Sequence, residues 1–260
     1  MPGPAVTARA LALLFAFDDD HRCLSLTELA QRAGLPVPTA HRLLGQLVAG
    51  GALVRRRTGD YVIARRLWRV GQLAPVESGL REVAAPFLSD LHAATRATVQ
   101  LGVRDGTEVL CLERMVGHRS VPLLNTVGTG LPMYSTGIGK VLLAYAPDEV
   151  VAAVLAKPVR LTPRTIVATD RLREQLAAVR RNRYATTADE MSLGASSVAV
   201  PIRSAGNHRV VAAVGAVVRS LEHDEVRVLA SLRVAALGIE RSLAAASRVI
   251  IRLSESLVSS

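Results

Sequence analysis

Few residues in this chain have the types and spacing that chemistry requires. The run Gly137-Ile138-Gly139-Lys140 invites a phosphate-loop reading. A Walker loop needs a glycine five positions before Gly139, where Tyr134 stands, and Ser or Thr after the lysine, where Val141 stands. A looser use survives. Small residues at a helix N-terminus let backbone N–H groups approach an anionic or carbonyl ligand, and they equally allow a tight loop-to-helix corner. Asp189-Glu190 is an acidic pair that could hold a cation or move a proton, or simply be solvated beside a turn. His21, His41, His92, His118, His208 and His223 show no metal-ligand spacing, and no serine sits in a nucleophile elbow. Cys23 and Cys111 are the only cysteines, too few for a disulfide framework or a cysteine-cluster zinc site. The expectation is a protein without metal, cofactor or catalytic constellation.

Recognition chemistry is better represented. Its carrier is the stretch 24–46, LSLTELAQRAGLPVPTAHRLLGQ. Ser25 and Glu28 have capping-box spacing, in which the hydroxyl accepts from the Glu28 N–H and the carboxylate reaches back to Ser25. Leu26, Leu29, Ala30 and Ala33 then recur at helical spacing, and Gly34 stands where a C-terminal cap belongs. Pro36 and Pro38 suit a second helix start, since a first-turn N–H has no intrahelical partner to lose. Ala40, Leu43, Leu44 and Leu47 share one face of that second helix. The other face carries Pro38, His41, Arg42, Gly45 and, at its edge, Gln46. This is a helix-turn-helix pattern, whose second helix enters the DNA major groove. The plainer alternative is any αα-hairpin at the edge of a helical domain.

Composition bears on that choice. A chain of 260 residues suits one large domain or two small ones. Aromatic residues make up only 3%, so the core must be built from Ala, Leu and Val. The formal net charge is +10, almost all of it from arginine, since Lys140 and Lys157 are the only lysines. From Thr39 to Arg69, arginines 42, 55, 56, 57, 65, 66 and 69 face a single acid, Asp60. A local surplus beside a helix-turn-helix is the footprint expected for phosphate contacts. The apolar run 10–17 ends in Asp18, Asp19 and Asp20 with no small-residue cleavage site, so it is predicted as a first helix with Leu11, Leu14 and Phe15 in the core. No run is long enough to cross a bilayer, and a reduced cytoplasmic setting is expected.

Gly50 and Gly51 end the second helix, and ALVRRR and DYVIA follow as β-prone runs joined at Thr58-Gly59-Asp60. The order is that of a winged helix-turn-helix, with Arg55, Arg56 and Arg57 on the wing. They suit backbone or minor-groove contacts, or serve only as a solvated basic edge. Residues 65–79 turn helical again with Leu67, Val70, Leu73 and Ala74 on a face, interrupted by Gly71, Pro75 and Gly79. They are expected to form a linker. An amphipathic helix over 81–95 buries Val83, Phe87, Leu88 and Leu91, with Pro86 kinking or starting it. VQLGVRDG and TEVLCLER predict a hairpin turning at Asp105-Gly106. Gly128, Gly130, Gly137 and Gly139 punctuate a loop into a helix from about Gly139. A helix over 169–181, strands SSVAVPIRS and HRVVAAVGAVVRS about a turn at Ala205-Gly206-Asn207, and a closing helix over 224–247 complete a separate α/β domain.

Four blocks of the chain together resemble a known family. LTELAQRAGLPVPTAHRLLGQLVAGGALVRRRTGDYVIARRLWRVG, LREVAAPFLSDLHAATRATVQLGVRDGTEVLCLER, GTGLPMYSTGIGKVLLA and RYATTADEMSLGASSVAVPI are similar to IclR-type (isocitrate lyase regulator) bacterial transcriptional regulators. The resemblance implies an α+β chain: a winged helix-turn-helix over 1–65, a linker helix over 66–80, and a GAF/profilin-like effector domain with an antiparallel sheet over 81–252. It also implies dimers that pair into tetramers on a double-stranded operator, and a small organic acid or aromatic metabolite that alters DNA binding. The DNA-binding positions carried over are Thr27, Pro38, Thr39, His41, Arg42 and Gln46, joined by the wing arginines. Arg42 is the first choice for a base or phosphate contact. The effector positions are Tyr134, Gly137 and Ile138 at a pocket mouth and Thr187, Ser197, Gly215 and Val217 on its floor.

Some positions depart from the family's pattern. Tyr134 stands for a usual His, Arg183 for a usual Gly, Thr187 for a frequent Asp, and Ser197 for a frequent Cys or Ser. Gly215 and Val217 stand where binders of small acids can show hydroxyls. Fewer polar partners argue for a larger, partly apolar effector. The expectation is therefore a ligand-responsive regulator, in this family more often a repressor, of a catabolic operon, and not an enzyme. The alternative is a small-molecule sensor acting through protein contacts without DNA.

Overall fold

The structure, a computed structural model, describes residues 5–18, 21–71, 78–117, 127–128, 130–204, 206–222 and 224–258, with side chains at Ser78 and beyond residue 246 excepted. The chain divides into two compact units, Met1–Val76 and Glu77–Ser260. Among the residues named from sequence, Asp19, Asp20, Leu73, Ala74, Pro75, His118, Ala205 and His223 lie outside the described residues.

The first unit runs α1 (Val6–Leu14), α2 (Leu26–Arg32), α3 (Val37–Ala49), β1 (Leu53–Arg55), β2 (Tyr61–Ile63) and α4 (Arg65–Gly71). The capping box forms as its spacing requires: Glu28 N–H donates to Ser25 Oγ at 3.3 Å, and Ser25 N–H donates to Glu28 Oε2 at 2.8 Å. Gly34 follows α2 at φ +63°, a left-handed turn that costs glycine nothing. Pro38 sits in the first turn of α3. Leu29, Ala30, Ala40, Leu43, Leu44, Leu53 and Tyr61 bury together as the core.

One expectation fails in this unit. Leu11 is 42% and Phe15 79% exposed, whereas Leu13 is fully buried and Ala16 nearly so. The core takes Leu13 from α1 and Ala16 and Phe17 from the turn that follows it, positions other than those the apolar run suggested. Arg32 fastens that turn by donating from Nε to the Ala16 carbonyl at 2.7 Å. Leu14 packs half-buried against the core, as anticipated.

The second unit contains α5 (Ser78–Thr95), β3 (Thr98–Asp105), β4 (Glu108–Met115), β5 (Gly130–Pro132), α6 (Gly137–Ala144), α7 (Asp148–Ala156), α8 (Thr169–Asn182), β6 (Ala185–Ala188), β7 (Ser196–Arg203), β8 (Val210–Val218) and α9 (Glu225–Val258). Six strands form one antiparallel sheet in the order β5-β4-β3-β8-β7-β6. Side chains alternate across it. Val99, Leu101, Val198, Val200, Val214 and Ala216 pack under α5 and α9. On the other face Cys111, Ala199 and Ala213 pack with α6, α7 and α8. The α+β arrangement matches the expectation. Pro86 sits inside α5 on its exposed side rather than starting it. Helix α7 and the short strands β5 and β6 were not anticipated, although Pro147 before Asp148 and Glu149 is a helix-start signal.

Candidate DNA interface and effector recess

The DNA-facing candidates sit on three elements. Helix α3 presents Pro38, His41, Arg42, Gly45 and Gln46 to solvent, while Ala40, Leu43 and Leu44 on its reverse are buried. Thr39 is half-buried, and Thr27 is exposed on α2. The wing is the β1–β2 hairpin. Arg55 ends β1, donates from Nε to the Gly59 carbonyl at 3.3 Å and lies 5.7 Å from the Tyr61 ring centroid. Arg56 places Nη1 3.6 Å from Cys23 Sγ, and Arg57 is exposed at the turn. Arg65, Arg66 and Arg69 are exposed on α4. The geometry suits a groove-inserting helix flanked by guanidinium groups that reach phosphates.

The second unit holds a recess of about 480 Å³, counted with its open mouth. Gly137, Ile138, Thr187, Ser197, Gly215 and Val217 all line it. The start of α6 forms one wall. Thr136 caps it, accepting from Gly139 N–H at 3.1 Å, and Gly137 N–H donates to Ser197 Oγ at 3.2 Å. A Cβ on Gly137 would stand 2.7 Å from Ser197 Oγ, and one on Gly139 2.5 Å from Met133 Cα. The close packing at Gly139 is that of a tight loop-to-helix corner, and Gly137 borders the recess. On the floor, Thr187 Oγ1 lies 2.6 Å from Ser197 Oγ. Tyr134 departs from its assigned place at the mouth. It does not line the recess; its hydroxyl donates to the Val159 carbonyl at 2.9 Å and accepts from Val159 N–H at 3.0 Å.

Asp189-Glu190 is not a solvated pair. Glu190 is 4% exposed and grips Lys140, whose Nζ is 2.6 and 2.7 Å from its two oxygens. Burial pushes the Lys140 ammonium below its ordinary value and the Glu190 carboxyl above its own, and each shift is opposed by the partner's charge. Asp189 takes φ +59°, accepts from Gly194 N–H at 2.6 Å and pairs with Arg164 at 3.6 Å. Met191, Ser192 and Ala195, just beyond, line the recess with Gln100 and Ser135, none of them singled out from sequence. Gln100 carried a signal, a polar residue among apolar neighbours in a strand. Cys111 is buried, which pushes its thiol up to about 11 and leaves it unreactive. Among the described residues no group of three or more His, Cys, Asp or Glu could hold a metal ion, and no helix is long and apolar enough to cross a membrane.

A winged helix-turn-helix joined to a domain with a small-molecule recess defines the class of ligand-responsive transcription factors. The chain belongs to the IclR family: residues 6–57 match the IclR helix-turn-helix domain and residues 74–241 the bacterial transcriptional regulator IclR C-terminal domain. It is 31% identical over 218 residues to the HTH-type transcriptional regulator XynR of Escherichia coli, covering 82% of this chain and 85% of that one. It is 33% identical over 207 residues to the p-hydroxybenzoate hydroxylase transcriptional activator of Acinetobacter baylyi, covering 76% and 75%. An IclR homolog from Microbacterium hydrocarbonoxydans, solved in complex with 4-hydroxybenzoate, superposes with a TM-score of 0.85 at 35% identity, covering 93% of this chain and 100% of that one. The protein is thus a DNA-binding transcriptional regulator and not an enzyme.

Proposed function

We propose that this regulator binds a double-stranded operator through α3 and the wing, and that an aromatic or similarly sized organic acid in the recess changes that binding. Arg42, with Thr27, Pro38, Thr39, His41 and Gln46, contacts the groove, and Arg55, Arg56 and Arg57 contact the flanking backbone. The observation that carries the effector half is convergence: residues from α6, β6, β7 and β8 meet in one recess. Its lining is mostly apolar, no lysine, arginine or histidine among the described residues is part of it, and the N-terminus of α6 opens on it. A helix N-terminus carries partial positive charge and suits a single carboxylate better than a small polyanion. The 4-hydroxybenzoate bound by the Microbacterium homolog has that chemistry.

The protein works in the cytoplasm as a homodimer that pairs into a tetramer on DNA, with domain limits near 65 and 80, and represses a neighbouring catabolic operon. Gel shift of the full-length protein with duplex from beside its own gene tests the reading. A complex that weakens steeply with salt and whose midpoint moves with 4-hydroxybenzoate or a related ring acid is expected. No complex at low ionic strength would overturn the DNA half. A midpoint indifferent to every acid in a metabolite panel, or one moved only by two- or three-carbon acids, would overturn the effector half.

A further inference from the structure

Beyond the positions carried over from the family, the recess is lined by four polar side chains, Gln100, Ser135, Thr136 and Ser192, of which Thr136 is spent on capping α6. The hydroxyls of Thr187 and Ser197 satisfy each other, and Ser197 also accepts from Gly137 N–H. Gln100 and Ser135 are in a different situation. Gln100 is 5% exposed and lines the recess, and its amide makes no hydrogen bond among the described residues. Ser135 is fully buried, lines the same recess, and its hydroxyl has no partner among the described residues. The Ser135 hydroxyl is thus a buried polar group left unmet, which is costly and which native proteins rarely keep without a water or ligand to answer it, whereas the Gln100 amide is open to the recess.

The two lie at different places. Ser135 stands two residues before α6, beside the helix N-terminus that suits a carboxylate. Gln100 is on β3, where the register sets it against Gly215 of β8, itself against Ala199 of β7. Ser197 lies one alternation along β7, opposite Thr187 of β6. Gln100 and Ser197 are therefore two strand spacings and two residues apart, roughly 12 Å between backbones across the floor. Gly215 beside Gln100 adds no side chain, and Val217 stands beside Ser197.

The chemistry of the Gln100 end is set by its amide, which both donates and accepts. A carboxylate there would use only the N–H donors and would face the amide oxygen in a recess lined by no cationic side chain. A hydroxyl uses both. We propose that Gln100 is a specificity-determining residue whose amide recognises a hydroxyl on the effector, at the end away from Thr187 and Ser197. This rests on the effector reading above, and it adds that the preferred ligand is a hydroxylated ring acid rather than the bare acid.

Isothermal titration of the full-length protein with 4-hydroxybenzoate and with benzoate tests it. Wild-type protein should bind the hydroxylated acid about tenfold more tightly, the worth of one well-made buried hydrogen bond. Gln100→Met should bring the two within about twofold by weakening only the hydroxylated ligand, and Gln100→Asn, with its shortened amide, should fall between. Ser135→Ala should weaken both ligands alike. Equal affinities in wild-type protein, a preference that persists in Gln100→Met, or binding of neither acid would overturn the assignment. Gel shifts on the same samples separate the two readings: operator binding that still answers some other acid leaves the effector reading standing, whereas operator binding that answers none sinks both.

Discussion

Lys140 of α6 and Glu190 of the β6–β7 connection form a bidentate ion pair across fifty residues of sequence, with Nζ 2.6 and 2.7 Å from the two carboxylate oxygens. Thr165 Oγ1 donates to the Glu190 carbonyl at 2.7 Å, which fixes the backbone of the same residue. The pair thereby ties the start of α6 to the segment that supplies Met191, Ser192 and Ala195 to the recess.

Breaking such a pair from one side leaves an uncompensated buried charge. Glu190→Ala or Lys140→Met should each cost about 3–5 kcal/mol, read as a lower denaturant midpoint in urea. Lys140→Met combined with Glu190→Leu should recover most of that loss, because apolar replacement of both partners removes the stranded charge.

The capping box predicts a pH effect. The Ser25 backbone N–H holds the Glu28 carboxyl below the usual carboxylate range. A depressed folded value means stability that is present above the ordinary carboxylate value and is lost as pH falls through it to the lowered one. Glu28→Gln keeps an acceptor for the Ser25 N–H but cannot titrate. Thermal melts between neutral and acid pH should show a shallower acid loss in Glu28→Gln than in the parent chain, and parallel curves would contradict the argument.

Arg183 closes α8 in the left-handed region at φ +61° and is exposed. A side chain there is strained, whereas glycine is not. Arg183→Gly should stabilise the fold by about 1 kcal/mol, seen as a raised melting temperature. The same φ gives a physical reason for the glycine usual at this position in the family.

For the DNA interface, Arg42→Ala should weaken operator binding by about 1–3 kcal/mol if the guanidinium meets a guanine edge. A uniform loss across sequences with a shallower salt dependence would instead assign Arg42 to a phosphate. A change of a few tenths would remove it from the interface.

The helix-turn-helix was legible because its signals are local. Ser25, Glu28, Gly34 and Pro38 each act within one turn of where they stand. The buried face of α1 was not, since a run as apolar as 10–17 has no polar side to betray which face meets α2 and α3. Leu13 is chosen by its neighbours rather than by its own pattern. The six lining residues read from family resemblance do meet in one recess, while Gln100 escaped because its neighbours across the sheet lie far away in sequence, and Ser135 because a serine before a glycine-rich helix start looks like any loop residue. Glu190 was misread for the same reason: its partner is long-range, and an acidic pair beside a turn resembles any solvated one.

Strand β8 is the last of the sheet in sequence, yet it lies between β3 and β7. During synthesis the helix-turn-helix, complete by Ile63, can fold on leaving the ribosome, whereas the sheet stays split into two halves until residues 210–218 have emerged. A ribosome-bound chain thus passes through an interval with its DNA-reading part assembled and no floor beneath the sensing chamber. The rate at which residues 64–218 are added sets the least time for which that half-built regulator exists.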